Sequence, residues 1–122
     1  MNHKTFTLKG IVKSYIGNQQ NFLNKKSDIQ KNYKVLVVEG VFPHNGTPNS
    51  DMNFLNLNYE IIKTKKDGQF RIELKPGTYT FFILKGENLY LNNYDGIGNY
   101  KHIEVKENID KYIIRDDIDA NF

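Results

Sequence analysis

The stretch TKKDGQFRIELKPGTYTFFIL, residues 64–84, decides the fold because it sets two turn signals nine residues apart. In the first, the aspartate of Asp67-Gly68 can accept a hydrogen bond from a following backbone N–H, and the glycine can adopt a positive φ. The second, Pro76-Gly77, has proline and glycine at the two central positions of a type II turn. We therefore predict a hairpin turn at residues 66–68 and a type II turn at 76–77, with Gly68 and Gly77 present for their backbone conformation.

The residues that follow each turn alternate between apolar and polar side chains. Phe70, Ile72 and Leu74 share one parity, and Gln69, Arg71 and Glu73 share the other. After the second turn, Tyr79, Phe81 and Ile83 again share one parity. Because successive side chains of a strand point to opposite faces, both runs are predicted to be strands with a buried face.

Further strands are predicted on both sides of this stretch, at residues 5–13, 33–42, 54–64, 89–91, 101–106 and 112–115. Gly10, inside the first of them, indicates a bulge or a close approach of another backbone. In the third, the buried face is predicted to carry Leu55, Leu57, Tyr59 and Ile61. A long polar loop is predicted at residues 14–32, with a short amphipathic helix as the alternative, and a second loop at 43–52.

The whole chain is predicted to be one all-β domain, residues 1–122, built as a seven- to eight-stranded antiparallel β-sandwich. The 122 residues suffice for a single core, to which 8 Tyr and 8 Phe contribute. Turn signals every eight to twelve residues are typical of this class. The chain has no cysteine, which excludes disulfides and cysteine-ligated zinc. Residues 116–122 are predicted to form a solvated acidic tail.

The charge is unevenly distributed, with seven lysines and one aspartate in the first 34 residues. We interpret this region as a solvated lysine-rich edge, with electrostatic binding of an acidic polymer as the weaker alternative. No basic-aromatic motif is present, so no nucleic-acid partner is predicted. Apolar runs such as residues 35–38 and 81–84 are far too short to span a bilayer, and the first residues lack the apolar core of a signal peptide.

The pattern T-x-x-D-G-x-F-x-I-x-L-x-P-G-x-Y-T-F at residues 64–81, preceded by G-x-V at residues 10–12, resembles the carboxypeptidase regulatory-like domain. That resemblance implies a prealbumin-like or transthyretin-like, Ig-like sandwich. It also implies a non-catalytic accessory or interaction module of a bacterial periplasmic, cell-surface or secreted protein. Tyr79, two residues after Gly77, resembles a tyrosine corner, with a buried ring and a hydroxyl bonded to backbone in the adjoining turn.

No catalytic or cofactor-binding constellation is predicted. His3, His44 and His102 do not have the spacing of metal ligands, and the chain contains no nucleophile-elbow, phosphate-loop or dinucleotide motif. Four aspartates near the end of the sequence offer oxygens for calcium, but they lack the glycine and closing glutamate of an EF-hand. These aspartates are Asp110, Asp116, Asp117 and Asp119.

The alternative to an accessory module is a carbohydrate-binding module that uses the loop at residues 90–100. Tyr90, Tyr94 and Tyr100 would stack on sugar rings, and Asn93 and Asp95 would supply hydrogen bonds. The competing interpretation is that these rings pack at one end of the sandwich. Edge strands of a small sandwich invite pairing, so the chain is predicted to be a monomer or a weak dimer, with a protein or cell-surface partner.

Overall fold

The computed structural model describes residues 4–16 and 32–118, which form nine strands and no α-helix. The strands are β1 Phe6–Ile16, β2 Lys34–Glu39, β3 Asn49–Ser50, β4 Tyr59–Lys63, β5 Gln69–Leu74, β6 Gly77–Lys85, β7 Asn88–Tyr90, β8 Ile103–Val105 and β9 Ile109–Ile118. Eight of them correspond to predicted strands, and β3 lies in a predicted loop. No helix in the described ranges is long and apolar enough to cross a membrane.

The strands form two sheets, as the sandwich prediction requires. The small sheet has the order β5-β1-β9, and the large sheet has the order β3-β7-β6-β2-β4, with β8 paired to the first residues of β6. The prediction of purely antiparallel pairing is wrong, because β1 and β9 run parallel. These are the first and last strands, so no short turn constrains their relative direction.

The two glycine turns connect the sheets. β4 belongs to the large sheet, β5 to the small sheet and β6 to the large sheet again. The turn at residues 66–68 is therefore a corner between layers, and its flanking strands do not pair as a hairpin in one sheet. The predicted tight turn is present, because the Gly68 N–H donates to the Lys65 carbonyl at 2.8 Å and the Lys65 N–H donates to the Gln69 carbonyl at 2.9 Å. Its local chemistry is as expected, because Gly68 has a φ of +88° and Asp67 Oδ1 accepts the Gln69 N–H at 3.0 Å.

Gly77 does not have the conformation that was predicted for it. Its φ lies outside the left-handed range, and the residue begins β6 in extended form. The predicted type II turn is thus wrong. The hydroxyl of Tyr79 nevertheless donates to the Lys75 carbonyl at 2.7 Å, and its side chain is buried.

The main core lies between the sheets. Phe70, Ile72 and Leu74 are buried on β5 while their neighbours are exposed, which confirms the predicted alternation. The ring of Phe81 joins the layers, with centroids 6.0 Å from Phe70 and 5.2 Å from Tyr112. Gly10 allows close packing at this level, because a Cβ there would lie 2.7 Å from the Tyr112 carbonyl oxygen and would overlap the Phe70 ring.

A second, smaller core covers the outer face of the large sheet, the face turned away from the small sheet. Phe82 and Thr80 are fully buried there although they have the opposite parity to Phe81. Phe82 contacts Phe42 and Tyr100, with centroids 6.5 and 5.2 Å away. The chain around Phe42 and the chain around Tyr100 therefore form a layer over β6.

Several predicted boundaries change, and three of the changes affect the loops and the acidic tail. β1 continues to Ile16, so the predicted loop at 14–32 does not begin at residue 14; residues 17–31 lie outside the described residues. Asp116 and Asp117 belong to β9, so the acidic tail does not begin at 116; residues 119–122 also lie outside. The strand predicted at 54–64 shortens to β4, because the Leu57 N–H donates to the Phe54 carbonyl at 2.9 Å and closes a turn.

Candidate interaction surface

Tyr100 and Tyr94, two of the predicted sugar-stacking residues, pack against each other in the layer over the large sheet. Tyr100 is 1% exposed, and its hydroxyl donates to the Thr47 carbonyl at 3.0 Å. Tyr94 stacks on it with centroids 5.9 Å apart, and the imidazole of His44 lies 4.5 Å from the Tyr94 ring. Burial raises the pKa of both tyrosines.

Tyr90, the last residue of β7, faces the interior, so the three tyrosines do not form a solvent-facing row. Its side chain is buried, and the ammonium of Lys85 lies 4.1 Å from the ring centroid. Burial, with the negative charge of Asp117 as a smaller cause, raises the pKa of Tyr90 to about 12. Tyr90 is therefore a packing residue at the rim of the two sheets.

Asp95 and Asn93 shape the loop that carries these rings. Asp95 Oδ1 accepts the N–H groups of Ile97 and Asn99 at 2.8 and 3.0 Å. These bonds, the Ile97 N–H first, lower the pKa of Asp95. The Asn93 carbonyl accepts the Lys101 N–H at 3.0 Å. Both residues hold the turn at Gly96 and Gly98, whose φ values are +87° and +108°.

An ion pair between a buried carboxylate and an exposed lysine lies between the sheets where the sequence predicted a solvated tail. Asp116 is 1% exposed, and its Oδ1 lies 2.6 Å from Lys85 Nζ. The hydroxyl of Tyr33 donates to Asp116 Oδ2 at 3.0 Å and also contacts the Ser14 hydroxyl. The partners are distant in sequence, and the two sheets bring them together.

The histidines and acidic groups of the described ranges form no metal-binding cluster of three or more. His44 Nδ1 accepts the Gly46 N–H at 3.0 Å, and His102 Nδ1 lies 3.0 Å from the Tyr100 carbonyl. Asp110 is exposed on β9. His3 and Asp119 lie outside the described residues.

Lys9 and Lys13, from the lysine-rich first third, project from the outer face of the small sheet. Lys9 is opposite Arg71 and Lys13 is opposite Arg115 in the strand registers. A concavity of about 580 Å³ there is lined by residues that include Lys9, Lys63, Lys65, Arg71, Asp110 and Lys111. Two acids offset the positive charge, through the Arg71–Glu73 and Arg115–Asp117 ion pairs.

The feature that sequence analysis missed is an apolar surface around β4. It consists of five exposed side chains, which we call the β4 surface: Val41, Leu55, Leu57, Tyr59 and Ile61. Leu55, at 66%, and Ile61, at 44%, are among the most exposed. The prediction that Leu55, Leu57, Tyr59 and Ile61 face the core is wrong.

The strand register explains why these side chains point to solvent. Ile61 is opposite Leu36 and Tyr59 is opposite Val38, residues on the outer face of the large sheet. As far as the described residues show, the layer that covers β6 does not extend over β4, where the Phe54 ring contacts the Tyr59 ring edge-on with centroids 4.9 Å apart. β4 is also the last strand of its sheet, so one of its backbone edges is unpaired among the described residues. An apolar surface beside an open edge is a site at which proteins dock.

Comparison with known proteins finds no matching protein family, no similar curated protein and no similar solved structure.

Proposed function

We propose that this chain is a non-catalytic β-sandwich module that binds a protein or cell-surface component through the β4 surface. The carrying observation is that, in residues 4–16 and 32–118, five of the seven large hydrophobic residues with exposed side chains belong to this surface. Scattered single apolar residues need no explanation, but a cluster beside an unpaired edge is a typical docking site.

The polar clusters support a structural role for the rest of the molecule. The Asp95 carboxylate accepts hydrogen bonds from the backbone of its own loop, and the Asp116 carboxylate accepts hydrogen bonds from Lys85 and Tyr33. Among the described residues, every fully buried side-chain nitrogen and oxygen has a hydrogen-bond partner. These hydrogen bonds stabilise the sandwich, which supports a structural role for the groups that make them.

The family and the compartment are part of the same proposal. The two-sheet architecture and the bond between Tyr79 and Lys75 support a prealbumin-like, carboxypeptidase regulatory-like domain. That resemblance in turn supports a bacterial periplasmic, cell-surface or secreted location. Fractionation of source cells with an antibody against this domain tests it, and recovery of the domain solely in the cytoplasmic fraction would contradict the location.

A capture experiment with matched variants tests the docking role. Immobilised wild-type domain, Ile61→Lys and Ile113→Lys are exposed to an extract of source cells. Ile113 is the control because it is 40% exposed, close to the 44% of Ile61, but lies on β9. We expect one component to be retained by the wild type and by Ile113→Lys and lost with Ile61→Lys. Identical capture by all three would contradict the role of the β4 surface.

A further inference from the structure

The outer edge of β4 presents a regular row of backbone groups that have no partner within residues 4–16 and 32–118. The Glu39 N–H donates to the Asn58 carbonyl, and the Thr64 N–H donates to the Tyr33 carbonyl. Asn58 and Thr64, which flank β4, therefore form hydrogen-bonded pairs with the chain of β2. Such pairs alternate along an antiparallel ladder, so Glu60 and Ile62 also point their backbone groups toward β2. The N–H and C=O groups of Tyr59, Ile61 and Lys63 therefore point away from the sheet.

These groups are complementary to their own copies. When two β4 strands are placed antiparallel about a two-fold axis at Ile61, Ile61 faces Ile61 of the other copy and Tyr59 faces its Lys63. Every outward N–H and C=O of the three residues then meets a partner. On the outer face, Ile61 packs against Ile61, and each Lys63 ammonium can lie over a Tyr59 ring.

The neighbouring registers are less favourable. An axis at Glu60 puts two glutamates directly opposite each other, and an axis at Lys63 does the same with two lysines. An axis at Ile62 brings Lys63 opposite Ile61 and leaves Tyr59 opposite Lys65 beyond the end of β4. In the register centred on Ile61, Glu60 lies opposite Ile62, and no like charges are directly opposed.

We infer that the occupant of the β4 surface is a second copy of this chain, paired antiparallel through β4 about a two-fold axis at Ile61. The inference rests on the proposed function, because it names the partner of the same surface. The pairing joins two large sheets into one continuous sheet across the axis. With five residues in each β4 strand, the contact belongs to the weak, concentration-dependent class of interfaces.

Single-cysteine cross-linking tests the register directly, because the natural chain has no cysteine. Ile61→Cys and the control Ile113→Cys are treated with a short thiol-specific cross-linker. Directly opposite residues have Cα atoms about 5.5 Å apart, within reach of such a link. We expect Ile61→Cys to form covalent dimers about tenfold or more faster than Ile113→Cys, because pairing raises the effective thiol concentration. Equal rates would overturn the inference.

A mixed experiment fixes the axis. Tyr59→Cys and Lys63→Cys face each other only when the axis is at Ile61, so a mixture of the two is expected to cross-link faster than either alone. Fast cross-linking of Lys63→Cys by itself would place the axis elsewhere and overturn the register. Neither variant touches the core, since both residues are exposed.

The outcomes separate the two proposals. A captured component that is another copy of this protein, lost with Ile61→Lys, supports both. Capture of a different protein through the β4 surface, with slow cross-linking of Ile61→Cys, upholds the docking role and overturns self-pairing. Fast cross-linking of Ile61→Cys without any captured component supports self-pairing and removes the external partner.

Discussion

Gly68 and Gly77 each follow a turn-forming residue in the sequence, but they adopt different backbone conformations in the structure. Gly68 has a φ of +88° and lies so close to β1 that a Cβ would overlap the Val12 carbonyl oxygen. Gly77 is extended, and a Cβ there would lie 3.5 Å from its nearest neighbour, a Glu39 carboxylate oxygen. The positive φ of Gly68 was predictable from the Asp67-Gly68 pair. The extended form of Gly77 was not, because the chain at Pro76 turns into another sheet.

Substitution of the two glycines by alanine is expected to change the free energy of unfolding by different amounts. Gly68→Ala should reduce the free energy of unfolding by about 1–3 kcal/mol, because the backbone is strained and the contact with Val12 must open. Gly77→Ala should change it by less than about 1 kcal/mol, since alanine fits and restricts the unfolded chain. Urea titration measures both. Equal losses would mean that Gly77 also requires a left-handed conformation.

Buried tyrosines make the stability depend on alkaline pH. Burial raises the pKa of Tyr33, Tyr90 and Tyr112 from 10.0 to about 12. The folded protein therefore retains protons that the unfolded chain releases, so this contribution is complete below about pH 10 and is lost as the pH rises toward 12. Tyr112→Phe should reduce the loss measured by urea titration at pH 7 and 11. Tyr59→Phe, at an exposed site, is the control, and an equal effect of both variants would contradict this origin.

At the scale of elements, β4 and β5 show what the alternation of apolar and polar residues cannot predict. Alternation in both stretches correctly predicts two distinct faces, yet Ile72 on β5 points to the core and Ile61 on β4 points to solvent. The alternation does not predict which face is buried, because the residues that bury a face, such as Phe42 and Tyr100, are distant from the strand in the sequence. The ion pair of Lys85 with Asp116 escaped prediction for the same reason.

Substitution of Ile72 and Ile61 by alanine distinguishes the buried face of β5 from the exposed face of β4. Ile72→Ala should cost about 2–5 kcal/mol, because it leaves a cavity between the sheets. Ile61→Ala should change the free energy of unfolding of the dilute protein by about 0.5 kcal/mol or less, as is usual for surface positions. Both are measured by urea titration at low protein concentration. A large loss for Ile61→Ala would show that the outer face of β4 is covered.

Removing one partner of the Lys85–Asp116 ion pair tests how the two sheets are joined at their rim. Lys85→Met keeps much of the side-chain volume but leaves the buried Asp116 carboxylate without its cation, and should cost about 1–2 kcal/mol, because the ammonium is 40% exposed and Tyr33 still donates to the carboxylate. The double variant Lys85→Met with Asp116→Leu should recover part of this loss, because no charge remains buried. Additive losses in the double variant would contradict the direct pairing.

At the scale of the whole molecule, the turns and buried rings predict two layers, and in the described part of the chain β4 is the terminal strand of the large sheet that carries exposed apolar side chains beside its edge. The corner at residues 66–68 sends β5 into the small sheet, so it does not pair with β4 in the large sheet. Among the residues that the structure describes, β4 is thereby left with an unpaired backbone edge and five exposed apolar side chains around it. The docking role that we propose rests on this topology and on no single motif.

Backbone amide hydrogen exchange in the dilute protein, followed by NMR residue by residue along β4, tests this account most directly. The amides of Glu60 and Ile62, which are bonded to β2, are expected to exchange slowly. The amides of Tyr59, Ile61 and Lys63, which face the open edge, are expected to exchange rapidly and to become protected as the protein concentration rises. Equal protection of all five amides at low concentration would show that the edge is already paired and would contradict the account.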